Sequence, residues 1–187
     1  MLIRFFRGEN KRITVTTLVM AAICSGLGVL LHYTFEWSGG NFFVGLFSAV
    51  NESVWEHLKL LFVPYAFLMI IEYAIYGKDR RNFFCAKFIG VILGMFSIAM
   101  NYYFYTGALG MQNPTWNIIF YFIGVLTAYL FAWWRMVSRR RKGNGLLESL
   151  AILGFGAVCT AFFVFTLYPP TLPIFMDPVT YTYGIPR

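Results

Sequence analysis

The fold is decided by apolar runs such as residues 13–31, ITVTTLVMAAICSGLGVLL, in which no side chain is charged. A helix needs about 20 apolar residues to cross the hydrocarbon core of a bilayer. Five runs are long enough, and they lie near residues 13–33, 56–76, 84–106, 116–137 and 147–168. The sequence therefore predicts an all-α membrane protein with five transmembrane helices in a single domain, residues 1–187.

The composition excludes an ordinary soluble protein. Charged residues make up only 12% of the chain and apolar residues 59%, whereas a soluble domain carries about 25% charged residues. The net charge of +7 would suggest nucleic acid as a partner of a soluble protein. Here the basic residues form short clusters between apolar runs, as in cytoplasmic membrane loops. We therefore expect the lipid bilayer, and no nucleic acid, as the partner.

The basic clusters also predict the orientation of the chain. Most of the 15 basic residues fall into three groups, which are Arg4, Arg7, Lys11 and Arg12; Lys78, Arg80, Arg81 and Lys87; and Arg135, Arg139, Arg140, Arg141 and Lys142. Cytoplasmic loops are enriched in Lys and Arg. Five crossings place all three groups inside, with a cytoplasmic N-terminus and an extracytoplasmic C-terminus in the cell membrane. The first run is too long for the core of a signal peptide, so we expect it to be retained.

Two further segments are predicted to be ordered without crossing. Residues 41–55 are too short to span the bilayer and predict a re-entrant or interfacial helix. An extra crossing there is the alternative, although it would move the next basic loop outside. The proline-rich tail, residues 169–187, cannot be helical. Because it is also apolar, we expect an ordered outer lid that brings Asp177 toward the glutamates.

Gly90 and Gly94 form a GxxxG motif in the third span. Such a motif permits two helices to approach closely. We expect it to act within the chain, with a homo-oligomer as the alternative.

Acidic residues and both histidines concentrate at the predicted outer ends of the helices. They are His32, Glu36, Glu52, Glu56, His57 and Asp177. The spacing of four in three pairs, which are His32 with Glu36, Glu52 with Glu56, and Ser53 with His57, predicts a shared helix face for each pair. Ionisable groups at membrane depth are costly, and they usually face a cavity, a partner or an ion.

Imidazole and carboxylate groups are ligands of Zn²⁺, Mn²⁺ and Fe²⁺. The sequence predicts a divalent metal site with His32, Glu36, His57 and Asp177 as ligands. Glu52 or Glu56 would activate a metal-bound water, since metals lower its pKa. Asn51, Ser53, Asn101 and Tyr105 are predicted to support the site by capping and hydrogen bonding.

Three functions remain open at this point. The first is hydrolysis of a lipid-like substrate at the metal site. The second is transport of a proton or small cation. The spans below the cluster argue against it, because only Glu72, which we expect to reach the inner interface, and some glycines interrupt them. The third is a non-enzymatic scaffold in which the cluster is a structural network with Lys59 as counter-charge.

The motif NESVWEH at residues 51–57, with Tyr168-Pro169-Pro170, Asp177-Pro178 and Thr182-Tyr183-Gly184, resembles an uncharacterised family of small prokaryotic integral membrane proteins. This resemblance implies no activity. A weaker likeness is to the CREST superfamily of membrane hydrolases and receptors, which this chain resembles in the spacing of Ser53 and His57. The seven spans and the paired histidines of that superfamily are missing, so the likeness is an analogy.

Overall fold

The computed structural model describes residues 9–111, 113–138 and 143–185. Its long helices are α1 (Glu9–Trp37), α3 (Val54–Ile75), α4 (Phe83–Tyr103), α5 (Pro114–Ser138) and α6 (Gly145–Leu167), with the short α2 (Phe42–Gly45) between the first two. Five helices are long and apolar enough to cross a membrane. The predicted all-α fold with five spans is confirmed, and it indicates a multi-pass membrane protein.

Side-chain caps and loop contacts fix where the helices begin. The Ser53 hydroxyl accepts a hydrogen bond from the N–H of Glu56 at 3.3 Å, so α3 starts just after it. The carboxylate of Glu148 accepts from the N–H groups of Phe84 and Cys85 at 2.8 and 3.2 Å. These N–H groups lie in the first turn of α4 and have no partner within their own helix. Since Glu148 lies in the first turn of α6, its bonds to them hold the starts of α4 and α6 side by side.

The bundle has two chemically different ends. The side chain of Asn82, before α4, donates to the carbonyl of Arg135, at the end of α5, at 3.1 Å. The Trp133 indole of α5 donates to the hydroxyl of Thr14, near the start of α1, at 2.9 Å. Lys11, Lys78 and Arg135 therefore share one end, which we call the basic end, and the opposite end is called the cluster end. Of the predicted basic groups, Arg4, Arg7 and residues 139–142 lie outside the described residues. Which side of the membrane each end faces stays a prediction.

The GxxxG motif acts inside the chain, as predicted. A Cβ atom on Gly90 would lie 2.5 Å from the carbonyl oxygen of Ala128, and one on Gly94 would lie 2.6 Å from that of Gly124. The two glycines thus allow α4 and α5 to pack backbone against backbone. Self-association of the protein stays an untested prediction.

The segment 41–55 is less helical than predicted. Within it, Phe42–Gly45 is helical and α3 begins only at Val54, because several of the residues between them hydrogen-bond to α1 and α3. The Ser48 hydroxyl accepts from the N–H of Phe35 at 3.1 Å, and the N–H of Val50 donates to Glu56 at 3.0 Å. Glu52 consequently precedes α3, and the predicted helical row of Glu52 and Glu56 does not form.

Glu72 does not reach an interface, and Lys87 does not lie in a basic loop. Both side chains are fully buried, and the Lys87 ammonium contacts the Glu72 carboxylate. The hydroxyl of Tyr76 donates to the same carboxylate at 2.6 Å, and the ammonium lies 4.6 Å from the ring centroid of Tyr129. Opposite charges that share hydrogen bonds can remain inside a membrane protein, whereas a lone charge cannot.

The tail is ordered and folds onto the cluster end, as predicted. Phe175 packs between Trp55 and Phe165, with ring centroids 4.9 and 5.3 Å away. The tail then turns back on itself, since the N–H of Asp177 donates to the carbonyl of Thr182 at 2.9 Å. Aromatic burial thus anchors a tail whose helical structure is limited, among its described residues, to a short 3-10 helix at Pro173–Phe175.

Candidate metal centre

Three predicted site residues meet at the cluster end. His32 comes from α1, Glu52 from the turn before α3, and His57 from the first turn of α3. The Nε2 atom of His32 lies 3.7 Å from Oε1 of Glu52, and Nε2 of His57 lies 3.6 Å from Oε2. One ligand atom from each residue can be chosen so that all three lie within 4.8 Å of one another. Two imidazoles thus flank one carboxylate.

The backbone orients the His57 ring. Its Nδ1 atom lies 2.9 Å from the carbonyl oxygen of Ser53. A carbonyl only accepts hydrogen bonds, so Nδ1 carries the hydrogen. In the neutral ring, Nε2 then presents its lone pair toward Glu52. Metal-ligating histidines are commonly oriented in this way, by a hydrogen bond from the second ring nitrogen.

The tail and the capping turn hold the backbone of Glu52. The N–H of Glu52 faces a carboxylate oxygen of Asp177 at 3.4 Å. The Asn51 side chain donates to the carbonyl of Gly184 at 2.8 Å and accepts from the N–H of Ser53 at 2.9 Å. The Glu52 side chain itself remains 48% exposed. Asn51 and Ser53 therefore fix the backbone on either side of Glu52.

A cavity of about 240 Å³ lies beside the three residues, between α1, α3 and α5. Asn117 and Tyr121 of α5 line it. The Tyr121 hydroxyl donates to the carbonyl of Cys24 at 3.0 Å. Neither residue was predicted from the sequence. Asn117 could have been noticed, because it is an amide one turn into an apolar span, where polar side chains usually serve a site.

Glu56 is not brought to the histidines. It is 2% exposed, and its carboxylate lies 2.6 Å from the ammonium of Lys59. The Thr166 hydroxyl and the N–H of Val50 each donate to it at 3.0 Å. Lys59 also donates to two carbonyls, those of Gly45 and Ser48, at 2.9 and 3.0 Å. The structural network with Lys59 as counter-charge therefore exists, but around Glu56.

Asp177 lies near the cluster without facing the histidines. Its carboxylate accepts from the N–H groups of Val179 and Thr180 at 2.7 and 3.2 Å. Burial raises the pKa of Asp177, but these N–H donors and that of Glu52 outweigh it, so the pKa lies below the ordinary value of 3.8. The carboxylate stays ionised and organises the tail.

The remaining predicted residues are also placed apart from the histidines. Glu36 is exposed in the last turn of α1. Asn101 donates to the carbonyl of Ser97 at 2.7 Å, within its own helix. The Tyr105 ring packs against Trp116. The structure thus joins only His32, Glu52 and His57 from the predicted ligand and catalytic set.

Residues 6–185 match a family described as a family of unknown function, DUF6512. The chain belongs to this family. The match spans nearly the whole chain and confirms the predicted membership of an uncharacterised family. No curated protein and no solved structure matches the chain. Any function must therefore be argued from the site itself.

The two histidines stand slightly beyond hydrogen-bonding distance of Glu52. Hydrogen bonds from nitrogen to oxygen span about 2.7–3.2 Å, and both histidine–glutamate separations are longer. The three residues therefore do not satisfy one another directly. Two imidazole nitrogens and a carboxylate oxygen, all within 4.8 Å of one another beside a cavity, are of the types that can hold a metal ion.

Proposed function

We propose that His32, Glu52 and His57 bind a divalent metal ion, with Zn²⁺ preferred over Mn²⁺ or Fe²⁺. The observation that carries the proposal is that both Nε2 atoms lie 3.6–3.7 Å from the Glu52 carboxylate. Ligands of a tetrahedral zinc ion, each about 2.1 Å from it, lie about 3.4 Å apart. The two histidine–glutamate separations, which run to different carboxylate oxygens, are a few tenths of an ångström longer, and one ligand atom from each residue lies within 4.8 Å of the others. Metal binding would therefore draw the three side chains together, and Glu52 has room to move because it is half exposed.

A hydrolytic role toward a lipid-like substrate is part of this proposal. Three protein ligands leave a coordination position open, which is typical of catalytic zinc, and the metal supplies a water of lowered pKa. The cavity beside the ligands would hold the substrate. Glu56 takes no part, since Lys59 and Thr166 occupy its carboxylate. Of the two glutamates predicted as catalytic, only Glu52 stands at the site.

The likeness to CREST hydrolases is an analogy only, and it does not make Ser53 a catalytic residue. The hydroxyl of Ser53 accepts from the N–H of Glu56, and Ser53 meets His57 through its backbone carbonyl. We therefore assign Ser53 a positioning role.

Proton or small-cation transport is the second proposal, because one observation favours it. The pair of Glu72 and Lys87 places ionisable groups inside the bundle. The sequence predicts an almost wholly apolar interior there, which would block a proton or cation. Buried charges within spans often belong to ion or proton pathways. Tyr76 and aromatic rings surround the pair, and both of its side chains are fully buried. The metal site therefore remains the better supported function. A scaffold without activity is the third.

Elemental analysis of purified, untagged protein tests the metal site. We expect close to one zinc ion per chain in the wild type, and loss of the metal in folded His57→Ala and His32→Ala. Glu36→Gln is the matched control, because Glu36 is an acidic residue of α1 that lies outside the cluster, and it should retain the metal. A folded wild type that binds no zinc, manganese or iron after metal is added back overturns the proposal. So does equal occupancy in all variants.

A further inference from the structure

The cavity beside the metal ligands has a polar and an apolar wall. The polar side chains are those of His32, Glu52, His57 and Asn117, and the apolar ones include Val29, Leu60 and Ile118. A cavity of this kind matches a molecule with one polar end and one apolar end. A small soluble substrate would need polar groups on more than one wall.

The apolar wall leads to the outer surface of the bundle. Val29 of α1 is 41% exposed and Ile118 of α5 is 55% exposed. These helices are among the five that can cross a membrane, so exposed apolar side chains on their flanks face lipid. We infer that the cavity opens sideways, between α1 and α5, toward the bilayer.

The inner end of the cavity is closed by a close helix contact. A Cβ atom on Gly28 would lie 1.9 Å from the hydroxyl oxygen of Tyr121 and 2.6 Å from the carbonyl oxygen of Leu60. Only glycine permits this approach, and Tyr121 donates to the carbonyl of Cys24 across it. A molecule in the cavity is therefore stopped by Tyr121 before it can reach the interior of the bundle.

Asn117 is a half-buried polar residue of the cavity wall. It lines the cavity from α5, and its side chain makes no hydrogen bond with any other residue that the structure describes. An amide offers two donors and one acceptor. At membrane depth such a group gains most from a polar partner, and the cavity is where that partner would lie.

We propose that this cavity binds one membrane lipid, with its polar head between Asn117 and the histidine–glutamate cluster and one acyl chain leaving between Val29 and Ile118. The volume of about 240 Å³ is below the roughly 300–1,000 Å³ that enclose a drug-sized ligand. The cavity thus holds the head and the start of one chain, and the rest stays among the lipids. This inference deepens the proposed function, on which it rests, by identifying the substrate as a membrane lipid that enters from the side of the bundle and by naming Asn117 as its contact.

Photolabelling tests the inference directly. The probe is a lysophosphatidylcholine with a diazirine on its acyl chain, added to the full chain in lipid nanodiscs and mapped by peptide mass spectrometry. We expect label on residues 27–33 and 117–121 that excess unlabelled lysophosphatidylcholine removes. Val29→Trp, which fills the opening, should abolish this saturable label. Leu30→Trp is the matched control, because Leu30 is also an exposed apolar residue of α1, 51% exposed against 41% for Val29, and lies about 100° further round the helix.

Asn117→Leu keeps the size of the side chain and removes its hydrogen bonds. It should weaken competition by roughly three- to tenfold, as the loss of one hydrogen bond would. Label that is not competed, or that is equal in Val29→Trp and Leu30→Trp, overturns the inference. The same labelling with chelator-treated protein separates the two proposals. Saturable label in a protein that never binds metal would overturn only the metal site, and metal without saturable label would overturn only the lipid site.

Discussion

Nδ1 of His57 lies 2.9 Å from the carbonyl oxygen of Ser53, the residue that caps α3. The cap and the candidate ligand are therefore one local unit. The hydroxyl of Ser53 fixes the start of the helix, its carbonyl orients the imidazole, and Nε2 is left to face Glu52. Helix capping, which is a matter of stability, thereby determines the geometry of the site.

Ser53→Ala separates these two roles, because it removes the hydroxyl and keeps the carbonyl. We expect the free energy of unfolding to fall by about 1 kcal/mol, as for a lost N-cap, while metal content stays at the wild-type level. Thermal unfolding in detergent and elemental analysis measure the two effects. A Ser53→Ala protein of unchanged stability that loses its metal would contradict this division.

Lys59→Met leaves the buried carboxylate of Glu56 without its cation. Breaking one half of a buried pair typically costs about 3–5 kcal/mol, so we expect a strongly lowered melting temperature. The double variant Glu56→Gln with Lys59→Met removes both charges and should recover most of the loss. If the double variant were no more stable than Lys59→Met, burial of an unpaired charge would not be the cause.

Gly94→Ala should destabilise the protein by about 1–3 kcal/mol, because overpacking forces tightly packed backbones apart. The added Cβ would lie 2.6 Å from the carbonyl oxygen of Gly124. Gly156→Ala is the control, since a Cβ there meets nothing within 4 Å and alanine favours the helix by about 0.5–1 kcal/mol. Equal melting temperatures for the two variants would refute the backbone contact between α4 and α5.

Acidification should release the tail through Asp177. Its pKa is lower in the folded state than the ordinary value of 3.8, so the detached tail binds a proton more readily. The stabilisation is present above pH 3.8 and is lost as the pH falls through the folded-state pKa. Amide hydrogen exchange of Val179 and Thr180 reports it. Asp177→Ala should accelerate that exchange at neutral pH, and unaltered exchange in this variant would disprove the role of the carboxylate.

The five helices could be predicted from the sequence because crossing a bilayer depends on the length of an apolar run, which is a local property. The start of α3 could be predicted only in part. Asn51 and Ser53 are both preferred capping residues, and the structure shows that Ser53 takes this position. The ordered tail was also predictable, because its proline residues exclude a helix and its apolar residues favour burial.

The sequence could not predict that Glu52 lies beside the histidines while Glu56 pairs with Lys59. Their spacing of four suggested one helix face, but α3 begins at Val54, so Glu52 lies outside the helix. Glu56 bonds to Thr166, which is 110 positions later in the chain. No local pattern specifies which distant residue receives a carboxylate.

The sequence by itself determined that this chain spans a membrane and concentrates its histidines and several acidic residues at one end, since hydropathy and charge are properties of segments. The tertiary structure decided which of them meet. His32, Glu52 and His57 come together, with Asn117 beside them, because α1, α3 and α5 pack around one cavity. Lys59 and Lys87 instead neutralise Glu56 and Glu72 inside the bundle. Such pairings depend on helix packing across the whole chain, in a solvent that leaves no charge unpaired.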